Sequence, residues 1–143
     1  MSDEGRPEET KGRGGGRLRK RERVVSQKLI DQLFSGGQSQ TLAAFPLRAV
    51  FMQKDREKGA EPVQILVSVP KRRLHHAVDR NRVKRQVRDA YRRQKELLTS
   101  GLSEGRSVVV AFLWLSDRLY DSAEIDSRIK SILERINQRT TDN

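Results

Sequence analysis

Apolar positions follow two spacings along this chain, and the alternation between them predicts its elements. After Ser26, a side chain able to cap a helix, Leu29, Ile30, Leu33 and Phe34 recur at helical spacing, and Gly36-Gly37 ends the run. Residues 38–44 form a short extended piece. From Phe45 to Gln53 the period drops to two, with Phe45, Leu47, Ala49 and Phe51 on one face of a strand and Pro46, Arg48, Val50 and Met52 on the other. Pro46 has no N–H to give a ladder, so it marks a strand start or an edge. Val63 to Val69 is a further strand, closed by Pro70, and a helix is expected from His76 to Leu98. Ser107 to Leu115 is continuously apolar, as suits a strand covered on both faces. Asp121 with Glu124 resembles a capping box, and Ile125, Ile129, Ile132, Leu133 and Ile136 form one helical stripe beyond it. The predicted order is α-β-β-β-α-β-α, an α+β sandwich without an internal repeat.

These elements fill one domain, expected over residues 18–138, in a chain of 143 residues. Residues 1–17 pass from acidic to glycine-rich (Gly12, Gly14, Gly15, Gly16), with nothing apolar to offset the entropy of ordering, so a disordered tail is expected there. A disordered C-terminus is expected over 139–143. With no cysteine in the sequence, disulfides and thiolate zinc sites are excluded and a reducing compartment is indicated. No apolar run reaches the roughly 18 residues of a membrane span, and no secretory h-region is present, so the expected location is the cytoplasm and no membrane partner is expected.

Charge changes the picture most. The formal net charge is +11, and residues 71–95 alone contribute +9, from eleven Lys or Arg against Asp79 and Asp89. One basic element on a near-neutral body calls for a polyanionic partner. On a helical wheel Val83, Val87, Ala90, Tyr91 and Gln94 fall within about 100° and form the packed back. Arg80, Lys84, Lys95, Arg88, Arg92 and Arg85 fan over the adjoining arc with Asn81 at its centre, and Arg82 and Arg93 continue it. Arginine donates paired hydrogen bonds to phosphate, and asparagine adds an acceptor among groups that only donate. A helix charged only for solubility mixes signs more evenly. The helix by itself does not separate DNA from RNA.

Catalytic constellations are lacking. His75 and His76 are adjacent, so they point in different directions, and no carboxylate is spaced to orient either. The acids are scattered, and the glycines at 12–16 precede no Lys-Ser/Thr pair of the phosphate-loop kind. No catalytic residue and no metal ligand is assigned to the chain.

The run Lys71-Arg72-Arg73, then Ala77 through Arg80-Asn81-Arg82 to Tyr91, resembles the protein subunit of bacterial ribonuclease P. The flanks Leu18-Arg19-Lys20, Leu33-Phe34 with Gly37, and Leu66-Val67-Ser68-Val69 agree with it, over about residues 18–136. The resemblance implies a mixed four-stranded sheet of ribosomal-protein type whose β-α-β crossover is left-handed, an exception to the usual hand. It implies a role in removing the 5′ leader from precursor tRNA, with Mg2+ held mainly by the catalytic RNA subunit, which performs the hydrolysis. The partners implied are that RNA and the leader, with no DNA expected. Carried over by position, Lys71, Arg72, Arg73, Arg80, Asn81, Arg82, Lys84, Arg85 and Arg88 contact RNA. Ile30, Phe34 and Arg48 line a leader cleft, where Ile30 and Arg48 stand at positions that are often aromatic in the family. The alternative is a structural RNA-binding protein, ribosomal in type, with no enzymatic role.

Overall fold

A computed structural model describes residues 20–24 and 26–141. The tail expected over residues 1–17 and the last two residues lie outside that range. The elements are α1 (Gln27–Ser35), β1 (Gln40–Ala44), β2 (Leu47–Asp55), β3 (Val63–Ser68), α2 (Ala77–Gln94), the short α3 (Glu96–Thr99), β4 (Arg106–Trp114) and α4 (Ser122–Thr141). They build an α+β fold on one mixed sheet of order β1-β2-β4-β3. β1 pairs antiparallel with β2 and β2 antiparallel with β4, whereas β3 and β4 are parallel and joined through α2, the expected β-α-β crossover.

The period-two reading of β2 is realised as two cores. Leu47, Ala49 and Phe51 join Ile65, Val110, Phe112 and Trp114 beneath Val83, Val87, Ala90 and Tyr91 of α2 and the isoleucine stripe of α4. Val50 and Met52 face the other way, with Val109 and Ala111, and are closed by Val24 and by Leu33 of α1. Each such side chain removed from water contributes about 1.5–3 kcal/mol before entropy is counted. β4 lies under both layers, which explains its unbroken apolar run. Ser26 Oγ accepts the Leu29 N–H and starts α1, while Gly37, at φ 77°, turns the chain out of it.

Several boundaries, and the place of one strand in the sheet, differ from expectation. β2 begins at Leu47 because Phe45 and Pro46 form the turn of the β1–β2 hairpin, so Pro46 lies outside the ladder. β2 is an inner strand, between β1 and β4, and not an edge. The helix expected to Leu98 breaks at Lys95, whose Nζ donates to the buried Glu22 carboxylate at 3.0 Å, and Leu98 is buried from the separate turn α3. At the other end, α4 continues through Arg139 to Thr141, where disorder was expected from 139; its start is capped by Asp121 Oδ1, which accepts the Glu124 N–H at 2.9 Å.

Both edges of the sheet are occupied. Beside β3, Arg23 forms a parallel bridge with Ile65, and the Val24 N–H donates to Ile65 O at 2.9 Å. Beside β1, three arginines of α4 reach outward groups of the strand and its turn. Arg128 Nε donates to Phe45 O (2.8 Å), Arg135 Nη1 to Ala43 O (2.9 Å) and Arg139 Nη1 to Gln40 Oε1 (3.1 Å).

Candidate nucleic-acid interface

The basic element is assembled from a loop and a helix locked together. The Arg73 and Leu74 N–H groups both donate to Pro70 O, at 3.0 and 3.3 Å, and Leu74 is buried, which pins residues 70–74 as a tight turn. Arg80 completes it, with Nη1 donating to Leu74 O (2.9 Å) and His75 O (2.8 Å). Lys71 and Arg72 stand exposed on the turn and Arg73 is half-buried. His75 and His76 are exposed, and His76 is the N-cap of α2 without a side-chain bond to it.

On α2 the packed back is as expected at Val83, Val87, Ala90 and Tyr91, with one addition, Gln86. Gln86 is buried because its Nε2 donates to Tyr120 O and Ser122 Oγ, both at 3.1 Å, tying the helix to the β4–α4 loop. Asn81, Arg82 and Arg85 form the exposed ridge, and Lys84 and Arg88 lie half-buried on its flank. Burial, reinforced by the charge of Arg23, lowers the pKa of the Arg88 guanidinium. Two guanidinium groups held near each other repel, and an incoming anion relieves that repulsion.

The acids show where the charge is left open. Arg93 bonds to the Asp126 carboxylate, Lys95 pairs with Glu22 at 3.0 Å, and Arg92 lies 3.8 Å from Asp89. All three pairs sit at the C-terminal end of α2. Among the described residues, no acid comes within ion-pair distance of Lys71, Arg72, Arg73, Arg82, Lys84, Arg85 or Arg88. The uncompensated charge therefore runs from the loop over the first three turns of the helix. Arg80 belongs to this patch by position, although its bonds hold the loop.

A second strip lies on the opposite face of the sheet. The pairing register places Ala43, Arg48, Leu113 and Ser68 in one row across β1, β2, β4 and β3, two residues short of Pro70 and the basic turn. Arg48 is exposed, and Leu113 packs against the α1-side core beside Ile30. Phe34 is 48% exposed, so its ring is not spent on the core. The structure thus puts Arg48 on the face that α1 covers, with Ile30 half-buried in that core and Phe34 at its surface.

Two features were not visible in the sequence. Gln86 gives no signal, because its acceptors come from a loop more than thirty residues away. Phe45, Tyr120 and Trp114 form an edge-to-face chain, with ring centroids 6.5 and 5.7 Å apart, assembled from three separate segments. No helix among the described residues is long and apolar enough to cross a membrane.

A mixed sheet with a basic crossover helix, its apolar back buried and much of its charge without an ion-pair partner among the described residues, defines an α+β protein of the nucleic-acid-binding class. The family model for ribonuclease P matches residues 18–137, nearly the whole described chain. The ribonuclease P protein component of Porphyromonas gingivalis (strain ATCC 33277) is 38% identical over 120 residues, covering 83% of this chain and 85% of that protein. That of Chlorobium phaeobacteroides is 40% identical over 92 residues, 62% of this chain and 61% of its own. Among solved structures, the Staphylococcus aureus RNase P protein aligns over 83% of this chain and 97% of its own, with a TM-score of 0.58 and 15% identity. The Thermotoga maritima RNase P protein aligns over 83% and 96%, with a TM-score of 0.51 and 21% identity. The chain belongs to the ribonuclease P protein family, and its role in tRNA processing follows from that membership.

Proposed function

We propose that this chain is the accessory protein of a ribonuclease P holoenzyme, an endoribonuclease that removes the 5′ leader from precursor tRNA in the cytoplasm. Lys71, Arg72, Arg73, Asn81, Arg82, Lys84, Arg85 and Arg88 dock onto the phosphates of the catalytic RNA, and Arg80 fixes the turn that presents the first three. The strip of Ile30, Phe34 and Arg48 receives the single-stranded leader, Phe34 by stacking and Arg48 by charge. The single observation that carries this reading is the open run of positive charge from Lys71 to Arg88, on a chain of this family.

The reaction adds water across one phosphodiester bond and leaves a 5′-phosphate on the tRNA, with Mg2+ supplied through the RNA subunit. The described residues do not build a Mg2+ cage of their own. Among the described residues no three His, Asp or Glu side chains gather, and Asp79 and Asp89 are each next to an arginine in the chain. What the protein supplies is positional. Its cations lower the repulsion between two polyanions, and its strip holds the leader in line.

The test mixes the protein with a bacterial ribonuclease P RNA and a leader-bearing precursor tRNA, at low magnesium and near-physiological salt. Leader removal is expected to accelerate. Arg82→Ala is expected to weaken assembly and to lower the slope of log K against log salt by about 0.7–0.9, the share of one phosphate. RNA binding with no acceleration would instead mark a structural RNA-binding protein.

A further inference from the structure

The most exposed phenyl ring among the described residues is not in the leader strip. Phe45 is 58% exposed at the tip of the β1–β2 hairpin, and its ring is held on edge. Tyr120 meets it at 6.5 Å and 80°, and Trp114 backs Tyr120 at 5.7 Å and 77°. Its backbone is anchored by Arg128 Nε at 2.8 Å. Tyr120 lies in the loop that Gln86 ties to α2, and that loop is further ordered by the Arg118 N–H bond to Ser116 Oγ at 3.0 Å. An exposed phenyl ring on a rigid aromatic support presents a flat apolar face without losing rotamer freedom on contact.

The surroundings say what the face suits. Arg82 lies one helical turn before Gln86 on the same flank of α2, so the uncompensated ridge turns toward the 116–121 loop. Arg118 is exposed on that loop, and the terminal nitrogens of Arg128 have no partner among the described residues. Against these stand Asp117 and Asp121, the second of which is engaged with the Glu124 N–H. An aromatic plane flanked by guanidinium groups matches a nucleotide, with the base on the ring and the phosphates on the arginines. The side of the sheet identifies which nucleic acid. Phe45 leans on Tyr120, which packs on Trp114 in the core under α2 and α4, whereas Arg48 and the leader strip lie on the α1 face.

We propose that Phe45 is a stacking platform for an unpaired base of the RNA that docks on α2, and that Tyr120, Arg118 and Arg128 complete this site. The contact surface then wraps from the basic turn over Arg82 to the hairpin tip. This inference rests on the proposed docking of RNA at α2. A short apolar replacement at an exposed turn position leaves the core untouched, so Phe45→Leu is expected to fold, and emission from Trp114, the single tryptophan, reports whether the cluster is intact.

The experiment measures affinity for a bacterial ribonuclease P RNA across a salt series, with wild type, Phe45→Leu, Phe45→Trp and Arg82→Ala. Phe45→Leu is expected to weaken binding about 5- to 150-fold, the range for one base–aromatic stack, with the salt slope unchanged. Phe45→Trp is expected to restore it. Wild-type affinity in Phe45→Leu beside a loss in Arg82→Ala would overturn the platform and leave the docking at α2 standing. Wild-type affinity in both would remove the docking and the platform together. A loss in Phe45→Leu seen only with leader-bearing precursor tRNA, and not with the RNA alone, would assign the ring to the leader and overturn the proposal.

Discussion

Arg80 and Tyr91 sit one above the other on the same helix and owe their roles to opposite kinds of burial. Arg80 carries charge, yet its Nη1 is committed to the carbonyls of Leu74 and His75. Lysine at this position keeps the charge and loses the guanidinium geometry. Arg80→Lys is therefore expected to raise hydrogen exchange at the Arg73 and Leu74 amides and to weaken RNA binding at unchanged net charge. Unaltered exchange at both amides would show that the turn holds itself. Tyr91 is buried, and its hydroxyl has no hydrogen-bond partner among the described residues. Burial pushes the phenol pKa well above its ordinary value, with Glu22 and Glu61 adding to the effect. The neutral phenol is thus the folded form. Below the ordinary tyrosine pKa of about 10 both states hold the proton and Tyr91 adds no pH dependence; above it the unfolded chain releases a proton that the fold retains, and stability falls as pH rises. Tyr91→Phe is expected to lie within about 1 kcal/mol of wild type in urea unfolding at neutral pH, since only an unpaired hydroxyl is lost. It should also lose less stability than wild type above that pKa, and an identical alkaline decline would refute the assignment.

At the level of elements, what could be read in the sequence was whatever depends on period. The split of β2 into Leu47, Ala49, Phe51 and Val50, Met52, the doubly covered β4, the isoleucine stripe of α4 and the back of α2 all follow from alternation of apolar side chains. What could not be read depends on partners distant in the chain. The pairing of Lys95 comes from Glu22, the burial of Gln86 from the carbonyl of Tyr120, and the restraint on Arg80 from a turn that exists only in the fold. The position of Phe45 belongs to the same group. Its alternation with Leu47 suggested a strand, whereas Pro46 takes it out of the ladder and into a turn. The basic patch could therefore be named from the sequence as a set of residues. The division within it, between side chains left open to solvent and those that hold the surface in shape, could not.

For the molecule as a whole, the closed edges of the sheet matter as much as its faces. A bare edge strand offers unpaired backbone groups to any passing chain. Here β1 is shielded by Arg128, Arg135 and Arg139, which reach it from the length of α4. Replacing all three with alanine is expected to increase self-association of the RNA-free protein, seen by sedimentation velocity. Sedimentation identical to wild type would show that the arginines do not guard the edge.

The uneven pairing of acids along α2 has a consequence for time as well as for affinity. Asp126, Glu22 and Asp89 quiet one end of the helix, while the cations of the other find no ion-pair partner among the described residues, so the protein is a strongly polar body and not a uniformly charged one. In the field of a polyanion such a body turns before it touches. Encounters then begin with the turn of Lys71 and the ridge of Arg82 already leading, and productive collisions become a larger share of all collisions. Added salt would erode that advantage at the stage of approach, slowing arrival more than it hastens departure.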